Sequence, residues 1–402
     1  MNQIWGKKRL KDVATFSRGL TYKKIEEVEF SKNVVLRANN INVDTNQLDF
    51  SDLKFINDKI IIPLEKKVSK GSLIICIASG SKSHLGKVAL VESEYDYAIG
   101  GFMGKITPNE CINSKYLFYI LTSPGYRQFI DSISDGVNIN NLRFDQLEQF
   151  EFSLPSLPEQ RRIVAKLDEA FVAIDRAVEN TRKNVQNARE LYQSYLRKIL
   201  VQKSSDWNKI RLGDICIIER GGSPRPISSY ITTDPDGINW IKIGDTKGAS
   251  KYIYHTKEKI KPEGVKKSRM VYEGEFLLSN SMSFGRPYIL KTSGCIHDGW
   301  LVLREITSDV DKNYLYHVLG SDVIFEQFDY FAAGSTVRNL NIDLVKKVTI
   351  PLPSLKEQKK IGFKLDKLTE QLDQLDIKYK KKLLTLLELK QSILTKAFSG
   401  EL

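Results

Sequence analysis

The sequence has few of the features that mark secreted, membrane-spanning or metal-binding proteins. Its four cysteines, Cys76, Cys111, Cys216 and Cys295, lie far apart and form no CxxC pair, which argues against a zinc site and a disulfide framework. No apolar run approaches the roughly 18 residues of a membrane span. The amino-terminal stretch MNQIWGKKRL lacks the apolar segment of a signal peptide. We therefore expect a cytoplasmic protein that has no contact with a membrane.

Catalytic motifs are missing as well. A DNA methyltransferase would need a glycine-rich cofactor loop and an Asn/Asp-Pro-Pro-aromatic motif, and neither occurs. The stretch GSKSHLGK (80–87) has one residue too many between its glycines for a phosphate loop, and Val88 replaces the required Ser or Thr. Asp58, Glu65 and Lys67 imitate the spacing of a nuclease, but a strand flanked by solvated charges explains them better. The four histidines are scattered. We expect a protein that is not an enzyme.

The net charge of +12 on 402 residues suggests an acidic partner such as nucleic acid. Ten basic and six acidic residues lie between Pro158 and Lys203, and eleven basic and seven acidic between Lys356 and Leu402. Two thirds of the excess positive charge therefore lies on two segments that are predicted to be helical. Since a solvated helix face also explains charge in those places, net charge alone supports DNA binding weakly.

The most informative feature is a repeat. LPSLPEQRRIVAKLD (154–168) recurs as LPSLKEQKKIGFKLD (352–366), with twelve of fifteen positions identical or exchanging Arg for Lys. WGKKRLKDVATFSRG (5–19) similarly matches WNKIRLGDICIIERG (207–221), and DGVNINNLRFDQL (135–147) matches AGSTVRNLNIDLV (333–345). A period near 200 residues is too long for a solenoid, whose repeats span roughly 20–50 residues. The chain is therefore predicted to be a duplicated module, a globular part followed by a helix, with poorly matching module interiors.

Both copies of the LPSL segment are predicted to begin long helices. Ser156 with Glu159, and Ser354 with Glu357, have the spacing of capping boxes. Apolar residues then recur in steps of three and four, as in the seam of a coiled coil. In the first helix they are Ile163, Leu167, Ala170, Ile174, Ala177, Thr181, Val185, Ala188, Leu191, Tyr195 and Ile199. In the second they are Ile361, Leu365, Leu368, Leu372, Leu375, Tyr379, Leu383, Leu386, Leu389 and Ile393.

The connectivity predicts that the two helices pair antiparallel. If the second globular part is compact, its ends are close together, so the second helix starts near the end of the first and runs back. About 40–45 residues would make a rod of about 60–68 Å. The predicted fold class is α+β, with two pseudo-twofold-related α/β globular domains separated by a long antiparallel two-helix coiled coil. The predicted domains are residues 1–155, a helix over 156–204, residues 205–353, and a helix over 354–402.

In this order and duplication the residues resemble the specificity subunit of Type I restriction–modification systems. The resemblance covers the whole chain and rests on the two LPSL segments, the terminal ILTKAFSGEL (393–402), INWIKIGDT (238–246) and GEFLLSNSMSFGRPYIL (274–290). The equivalent stretch of the first module is GSLIICIASGSKSHLGKVAL (71–90). The resemblance implies two target-recognition domains, each reading half of a split, asymmetric site on double-stranded DNA.

The resemblance also implies partners and a source. Two methyltransferase subunits would dock on the helices, and two restriction or motor subunits would join the full complex of a prokaryotic cell. No cofactor is expected in this chain, because S-adenosylmethionine, ATP and Mg²⁺ would be bound by the partner subunits. The expected function is to recognise the site and direct those subunits to it.

Candidate DNA contacts lie on polar loops, because base readout needs Arg, Lys, Asn or Ser near a groove and phosphate contacts to fix register. An ordinary polar turn is the alternative explanation for each of them. Arg143, Arg338 and Lys82 rank higher because they adjoin Gly-Ser or Asn turns, whereas the repeated Asn-Leu pairs at 141–142 and 339–340 are expected to shape the frame. The candidates are Arg18, Arg37, Asn39, Lys82, Ser83, Lys87 and Arg143 in the first module, and Arg220, Arg225, Lys242, Lys247, Asn280, Arg286 and Arg338 in the second.

Two alternatives remain open from the sequence alone. The chain could serve a related restriction enzyme whose single partner both methylates and cleaves, because the sequence would look much the same. It could also be a coiled-coil scaffold that binds proteins. A scaffold, however, has no reason to keep its helices alike while its module interiors diverge, and this contrast favours DNA recognition.

Overall fold

The structure is a computed structural model that describes residues 5–134, 141–202, 207–246, 251–280, 284–332 and 340–402. Its contacts divide the chain into two compact units. The first unit comprises Met1–Thr181 and Lys380–Leu402, and the second comprises Arg182–Tyr379. Each unit contains one globular module together with part of each long helix. The division into four domains made from the sequence stays a prediction.

The first module is a mixed structure of short strands and helices. Its elements are β1 (Gly6–Arg9), α1 (Leu10–Val13), β2 (Ala14–Arg18), β3 (Glu27–Val28), β4 (Asn33–Leu36), β5 (Lys54–Ile56), β6 (Leu73–Cys76), β7 (Val88–Leu90), β8 (Tyr97–Ile99), β9 (Met103–Pro108), α2 (Ser114–Ile120), α3 (Pro124–Ser134), α4 (Phe144–Leu147) and β10 (Glu151–Leu154). One sheet has the order β2-β9-β6-β7 and is antiparallel, and the other has the order β3-β5-β4-β8 with β4 parallel to β8. The strand β6, LIIC, is buried along its whole length, which explains its continuous apolar sequence.

The first long helix, α5, follows this module and spans Leu157–Arg197, with a π-helical turn over Lys198–Gln202. It leads into the second module, whose elements are β11 (Asn208–Arg211), α6 (Leu212–Ile215), β12 (Ile217–Arg220), β13 (Ile231–Thr232), β14 (Ile238–Ile241), β15 (Tyr252–Ile253), β16 (Glu258–Ile260), β17 (Arg269–Val271), β18 (Phe276–Ser279), β19 (Pro287–Leu290), β20 (Gly294–Ile296), β21 (Trp300–Arg304), α7 (Lys312–Leu319), α8 (Asp322–Ala332), α9 (Ile342–Lys347) and β22 (Thr349–Leu352). The second long helix, α10, spans Leu355–Ser399.

The second module repeats the topology of the first and extends it. Its sheets have the orders β12-β21-β18-β19-β15 and β13-β16-β14-β20-β17, so β15 and β17 are added at the edges of a shared four-stranded plan. In each module the first and last strands pair, β1 with β10 and β11 with β22. The chain therefore enters and leaves each module at one place, which is the condition on which the antiparallel pairing was predicted.

In the first unit, the start of α5 lies beside the end of α10. Arg162 Nη2 donates a hydrogen bond to the carbonyl oxygen of Leu402 at 2.6 Å, and Lys390 Nζ lies 3.1 Å from Asp175 Oδ1. A residue further along α5 thus contacts a residue nearer the start of α10, so the helices are antiparallel in this unit.

In the second unit, the end of α5 lies beside the start of α10. Lys364 Nζ lies 4.9 Å from the centre of the Tyr195 ring, and Arg189 pairs with Asp376. The numbers again run in opposite directions. The predicted fold class of two mixed modules and two long antiparallel helices is confirmed.

The predicted seam of the helices is wrong at two positions. Leu191 on α5 is 72% exposed and Leu389 on α10 is 46% exposed. Each lies 28 residues, four heptads, after the first seam residue of its helix. A straight α-helix drifts by about 20° per heptad relative to a strict seven-residue repeat, so the drift after four heptads is about 80°, almost one residue position. Leu196 and Leu394 are buried instead.

Each long helix is anchored to its module by a buried glutamine. Gln160 Oε1 accepts from the backbone N–H of Asn113 at 2.7 Å, and its Nε2 donates to the carbonyl oxygens of Cys111 and Pro155. Gln358 makes the same set in the second module, accepting from Asp311 N at 2.8 Å and donating to two backbone carbonyls. Both glutamines are fully buried. The repeated sequence E-Q therefore marks a docking point between helix and module.

None of the helices in the described parts of the chain is both long and apolar enough to cross a membrane.

Candidate nucleic-acid interface

Both modules present an arginine at the same edge of their first sheet. β2 ends at Arg18 and β12 ends at Arg220, and both side chains are exposed. A glycine follows each arginine and packs closely against the neighbouring turn. A Cβ on Gly19 would lie 2.1 Å from the carbonyl oxygen of Gly100, and a Cβ on Gly221 would lie 2.2 Å from that of His297. The close backbone packing therefore requires the glycine of the repeated Arg-Gly pair, and it fixes the backbone next to the arginine.

A second shared feature is the loop that follows β6 and β18. The N–H of Leu142 donates to the carbonyl oxygen of Ile77 at 2.7 Å, and the N–H of Leu340 donates to that of Asn280 at 3.0 Å. Leu142 and Leu340 are buried, so the leucines of the repeated Asn-Leu pairs belong to the frame, as expected, whereas Asn339 lies outside the described residues. We call the place where these segments meet the loop edge. In the first module it comprises residues 18–19, 77–87, 100–102 and 141–143, and in the second 220–221, 280, 286, 297–299 and 340.

Four predicted contacts of the first module lie on its loop edge with exposed side chains: Arg18, Lys82, Ser83 and Arg143. The Arg18 guanidinium lies 5.8 Å from the centre of the Phe144 ring. Arg143 forms a bidentate ion pair with Asp145, at 3.0 and 2.6 Å.

Arg37 and Asn39 adjoin this edge from the second sheet. The N–H of Gly100 donates to the carbonyl oxygen of Leu36 at 2.8 Å, which places Arg37 beside the turn. Asp52 holds both side chains, at 3.1 Å from Arg37 Nη2 and 2.8 Å from Asn39 Nδ2. A phosphate that binds here therefore competes with a carboxylate.

Lys87 is placed differently from the other candidates. Its side chain is buried, and its Nζ donates to the carbonyl oxygen of Ile41 at 2.7 Å. Burial lowers the pKa of this ammonium group below its ordinary value. The described contacts of Lys87 are therefore internal to the module. Arg286 occupies the equivalent position of the second module and is exposed.

Asp298 contacts three of the predicted residues of the second module, Arg220, Asn280 and Arg225. Its carbonyl oxygen accepts from Arg220 Nε at 3.1 Å and from Asn280 Nδ2 at 3.0 Å. Its carboxylate accepts from Ser223 Oγ at 2.7 Å and lies 3.6 Å from Arg225 Nη2. The hydrogen bond from Ser223 is the main cause that lowers the pKa of Asp298. The carboxylate thus stays ionised and is an acceptor only.

The remaining candidates have mixed placements. Lys242 follows β14, next to the turn that contains Asp298, and forms an ion pair with Glu258. Asn280 is fully buried in the place that Ile77 takes in the first module. Lys247 and Arg338 lie outside the described residues.

The sequence analysis missed two residues of the turn between the last two strands. Phe102 is 73% exposed at the tip of the turn between β8 and β9, and Asp298 lies in the equivalent turn between β20 and β21. Aligning IGGFMGKI (99–106) with IHDGWLVL (296–303) sets Gly101 and Phe102 against Asp298 and Gly299, and this exchange is the sequence signal that could have revealed both residues.

No cluster of three or more His, Cys, Asp or Glu side chains suited to a metal ion occurs among the residues that the structure describes. The arrangement of exposed arginines and lysines around a turn suits the binding of an anionic polymer, because such groups contact phosphates without sequence preference while neighbouring side chains meet base edges.

Comparison with known proteins agrees with this geometry. The profile of the Type I restriction modification DNA specificity domain matches residues 2–186 and 204–385. The chain belongs to this family. The specificity domain thus occurs twice, and each match includes one module. Family membership assigns the chain the role of a DNA-recognition subunit of a type I restriction–modification system, without a catalytic role.

Relatives of this specificity subunit match along nearly its whole length. The StySPI specificity subunit of Salmonella potsdam is 25% identical over 99% of this chain and 89% of its own length. The EcoKI specificity subunit of Escherichia coli K12 is 25% identical over 97% of this chain and 87% of its own length. A chain in a solved structure on the assembly and conformational transition of the type I R-M system is 22% identical and covers 100% of this chain and 99% of its own length, with a TM-score of 0.79. That likeness supports the fold.

Proposed function

We propose that this specificity subunit recognises a two-part site on double-stranded DNA, with each module reading one part. The observation that carries the proposal is the loop edge, which has the same backbone frame in both modules and different side chains on it. Arg18 and Arg220 occupy equivalent places, whereas Gly101 and Phe102 are replaced by Asp298 and Gly299. A shared frame with unlike side chains suits two readers of unlike sequences.

Exposed basic side chains supply the phosphate contacts in this proposal. They are Arg18, Lys82 and Arg143 in the first module and Arg220, Arg225 and Arg286 in the second. Several of them are already paired with a carboxylate or carbonyl group. DNA binding would exchange those partners for phosphate oxygens, and the pairs keep the guanidinium groups positioned until then.

The proposal includes a docking role for the long helices. In the first unit Val172, Leu384 and Leu387 are exposed on the helices, and in the second unit Leu191, Phe363 and Ile377 are exposed. Large apolar side chains exposed on the helices would be removed from water by a protein partner that packs against them. We assign these surfaces to two methyltransferase subunits. Two restriction subunits complete the enzyme, and S-adenosylmethionine, ATP and Mg²⁺ are bound by those partners.

DNA binding at increasing salt concentration tests the first part. The chain with its methyltransferase partner is titrated with double-stranded DNA between 50 and 200 mM salt, and we expect a steep linear fall of log K with log salt, because bound phosphates release counterions. Arg18→Ala should reduce the slope by about 1. Lys32→Ala is the matched control, since Lys32 precedes β4, at the opposite end of the module's second sheet from the loop edge. Binding that is absent or indifferent to salt contradicts the proposal.

Sequencing of adenine methylation in the genome of a strain that carries this protein tests the two-part site. We expect methylated adenines in one asymmetric motif whose two parts are separated by a spacer of fixed length. A continuous motif would contradict the assignment of one part to each module.

A further inference from the structure

The turn between β8 and β9 carries one large apolar side chain that contributes little to the core. Phe102 is 73% exposed. Its backbone is nevertheless well fixed, because its carbonyl oxygen accepts from the N–H groups of Ile77 and Ala78 at 3.0 and 3.2 Å, and Met103 N bonds to Gly100 O at 2.8 Å. The ring is thus presented to solvent on a rigid turn, and a phenylalanine has only two side-chain torsions to order on binding.

Basic groups flank this ring. Arg18 lies on the adjacent strand, paired with Gly104 two residues beyond Phe102, and Lys66 Nζ donates to the carbonyl oxygen of Arg18 at 2.9 Å. Arg37 lies on the other side of the turn, next to Gly100. Phosphate contacts by basic groups on both sides of the turn would direct the ring of Phe102 into a groove of the DNA.

The second module has no counterpart of this ring. Gly299 takes the place of Phe102, and a Cβ there would lie 2.2 Å from Cε1 of His297. No side chain fits at this position without a shift of the histidine. The apolar ring is therefore a feature of one module within a frame that both share, which is expected of a residue that determines specificity.

We propose that Phe102 determines specificity by contacting the C5 methyl group of a thymine in the major groove of the half-site read by the first module. This methyl is the one apolar group that a base pair presents in that groove. The inference rests on the proposed DNA recognition, and it predicts an A·T pair in that half-site.

Replacement of single thymines by uracil tests the contact, because uracil lacks only the methyl group. The full chain with its methyltransferase partner is measured on its own recognition site, with each thymine replaced in turn. We expect one position at which the replacement of thymine by uracil lowers the affinity of the wild type about four-fold. This is the loss expected when one methyl group is no longer buried at the interface. Phe102→Ala should bind the thymine site with a similarly reduced affinity and should not distinguish thymine from uracil there.

Phe30→Ala is the matched control. Phe30 is 82% exposed and precedes β4, whereas Phe102 follows β8, which runs parallel to β4, so the two rings lie at opposite ends of that sheet. This variant should keep the four-fold discrimination of the wild type.

The outcomes separate the inference from the proposed function. A wild-type protein with a clear sequence preference but no uracil-sensitive position, or a Phe102→Ala variant that still discriminates, overturns the thymine contact and leaves DNA recognition intact. The thymine contact is also overturned if Phe30→Ala loses the discrimination between thymine and uracil to the same extent as Phe102→Ala. A wild type without any sequence preference overturns both.

Discussion

His317 on α7 and Asp366 on α10 lie 2.8 Å apart, Nε2 to Oδ1, and join the second module to its long helix. Lys251 Nζ shares the same carboxylate oxygen at 2.6 Å, and Tyr192 O–H lies 2.8 Å from His317 Nδ1. Because an ionised carboxylate only accepts, the imidazole donates a hydrogen bond from Nε2. Burial lowers the pKa of His317 and so favours the neutral ring, in which Nδ1 accepts a hydrogen bond from the Tyr192 hydroxyl. The neutral imidazole is therefore the form that this arrangement holds.

Acid should weaken the second unit through His317. Burial lowers the pKa of this imidazole and outweighs the hydrogen bond to Asp366, which raises it. The unfolded chain therefore takes up a proton at a higher pH than the folded one, and stability falls as the pH drops below the ordinary value of about 6.5. We expect a lower urea midpoint at pH 5.5 than at pH 7.5.

Two variants isolate this contribution. His317→Tyr introduces the residue found at the equivalent position of the first module, where Tyr119 donates to Asp168 at 2.5 Å. This variant should show a smaller difference between the urea midpoints at pH 5.5 and pH 7.5 than the wild type does. His297, whose pKa burial also lowers, would contribute to a residual difference. His255→Tyr, at an exposed histidine of the same module, should leave the difference unchanged. An unchanged difference in His317→Tyr would show that His317 does not titrate in this range.

The buried glutamines should be intolerant of a carboxylate. Gln358→Glu loses both hydrogen bonds that Nε2 donates, to the carbonyl oxygens of Asp309 and Pro353, and places a carboxylate against them. We expect a loss of about 2–4 kcal/mol in the free energy of unfolding, measured by urea denaturation, because the buried partners are left unsatisfied. Gln160→Glu should behave alike in the first unit. Gln374→Glu, at an exposed position of α10, is the control. If Gln358→Glu lowered the free energy of unfolding as little as this control does, Gln358 would not anchor the helix to its module.

The frame could be predicted from the sequence to a much greater extent than the interface. The LPSL segments marked both helix starts within one residue, at Leu157 and Leu355, because capping and periodicity are local properties. The candidate contacts depend on burial that residue type does not reveal. Lys87 and Asn280 lie in polar loops yet are buried, since one bonds to the carbonyl of Ile41 and the other replaces an apolar residue. Phe102 was missed because the candidates were chosen among Arg, Lys, Asn and Ser, and residue type does not reveal that a phenylalanine is exposed.

Alanine at the repeated Arg-Gly glycines should disturb the loop edge of each module. In Gly19→Ala and Gly221→Ala the new methyl group meets a backbone carbonyl oxygen at 2.1 or 2.2 Å, and backbone cannot move aside as a side chain can. We expect about 1–3 kcal/mol of destabilisation from this overpacking, measured by urea denaturation, and weaker DNA binding. Gly6→Ala and Gly244→Ala are matched controls, because a Cβ at either glycine has no atom within 4 Å. If Gly19→Ala and Gly221→Ala were as stable as the two control variants, the close approach of the glycines to the backbone carbonyl oxygens would be refuted.

Single charges on the exposed apolar helix surfaces should remove one methyltransferase at a time. Leu384 belongs to the first unit and Phe363 to the second, and both are exposed, so glutamate at either should change the free energy of unfolding by no more than about 0.5 kcal/mol. In the assembled complex, however, the glutamate would be buried against an apolar partner without a counter-charge, which is costly. We expect each single variant to bind one methyltransferase subunit in place of two, measured as the mass of the purified complex.

The double variant Leu384→Glu with Phe363→Glu then decides whether the two surfaces act independently. If each unit holds its own methyltransferase, the double variant binds none, and each single variant retains one subunit at wild-type affinity. If either single variant releases both subunits, the two sites are coupled and the assignment of one subunit to each unit is wrong. Gln374→Glu adds the same charge to an exposed polar position of α10 and should retain two subunits, which separates the loss of an apolar contact from a change in net charge.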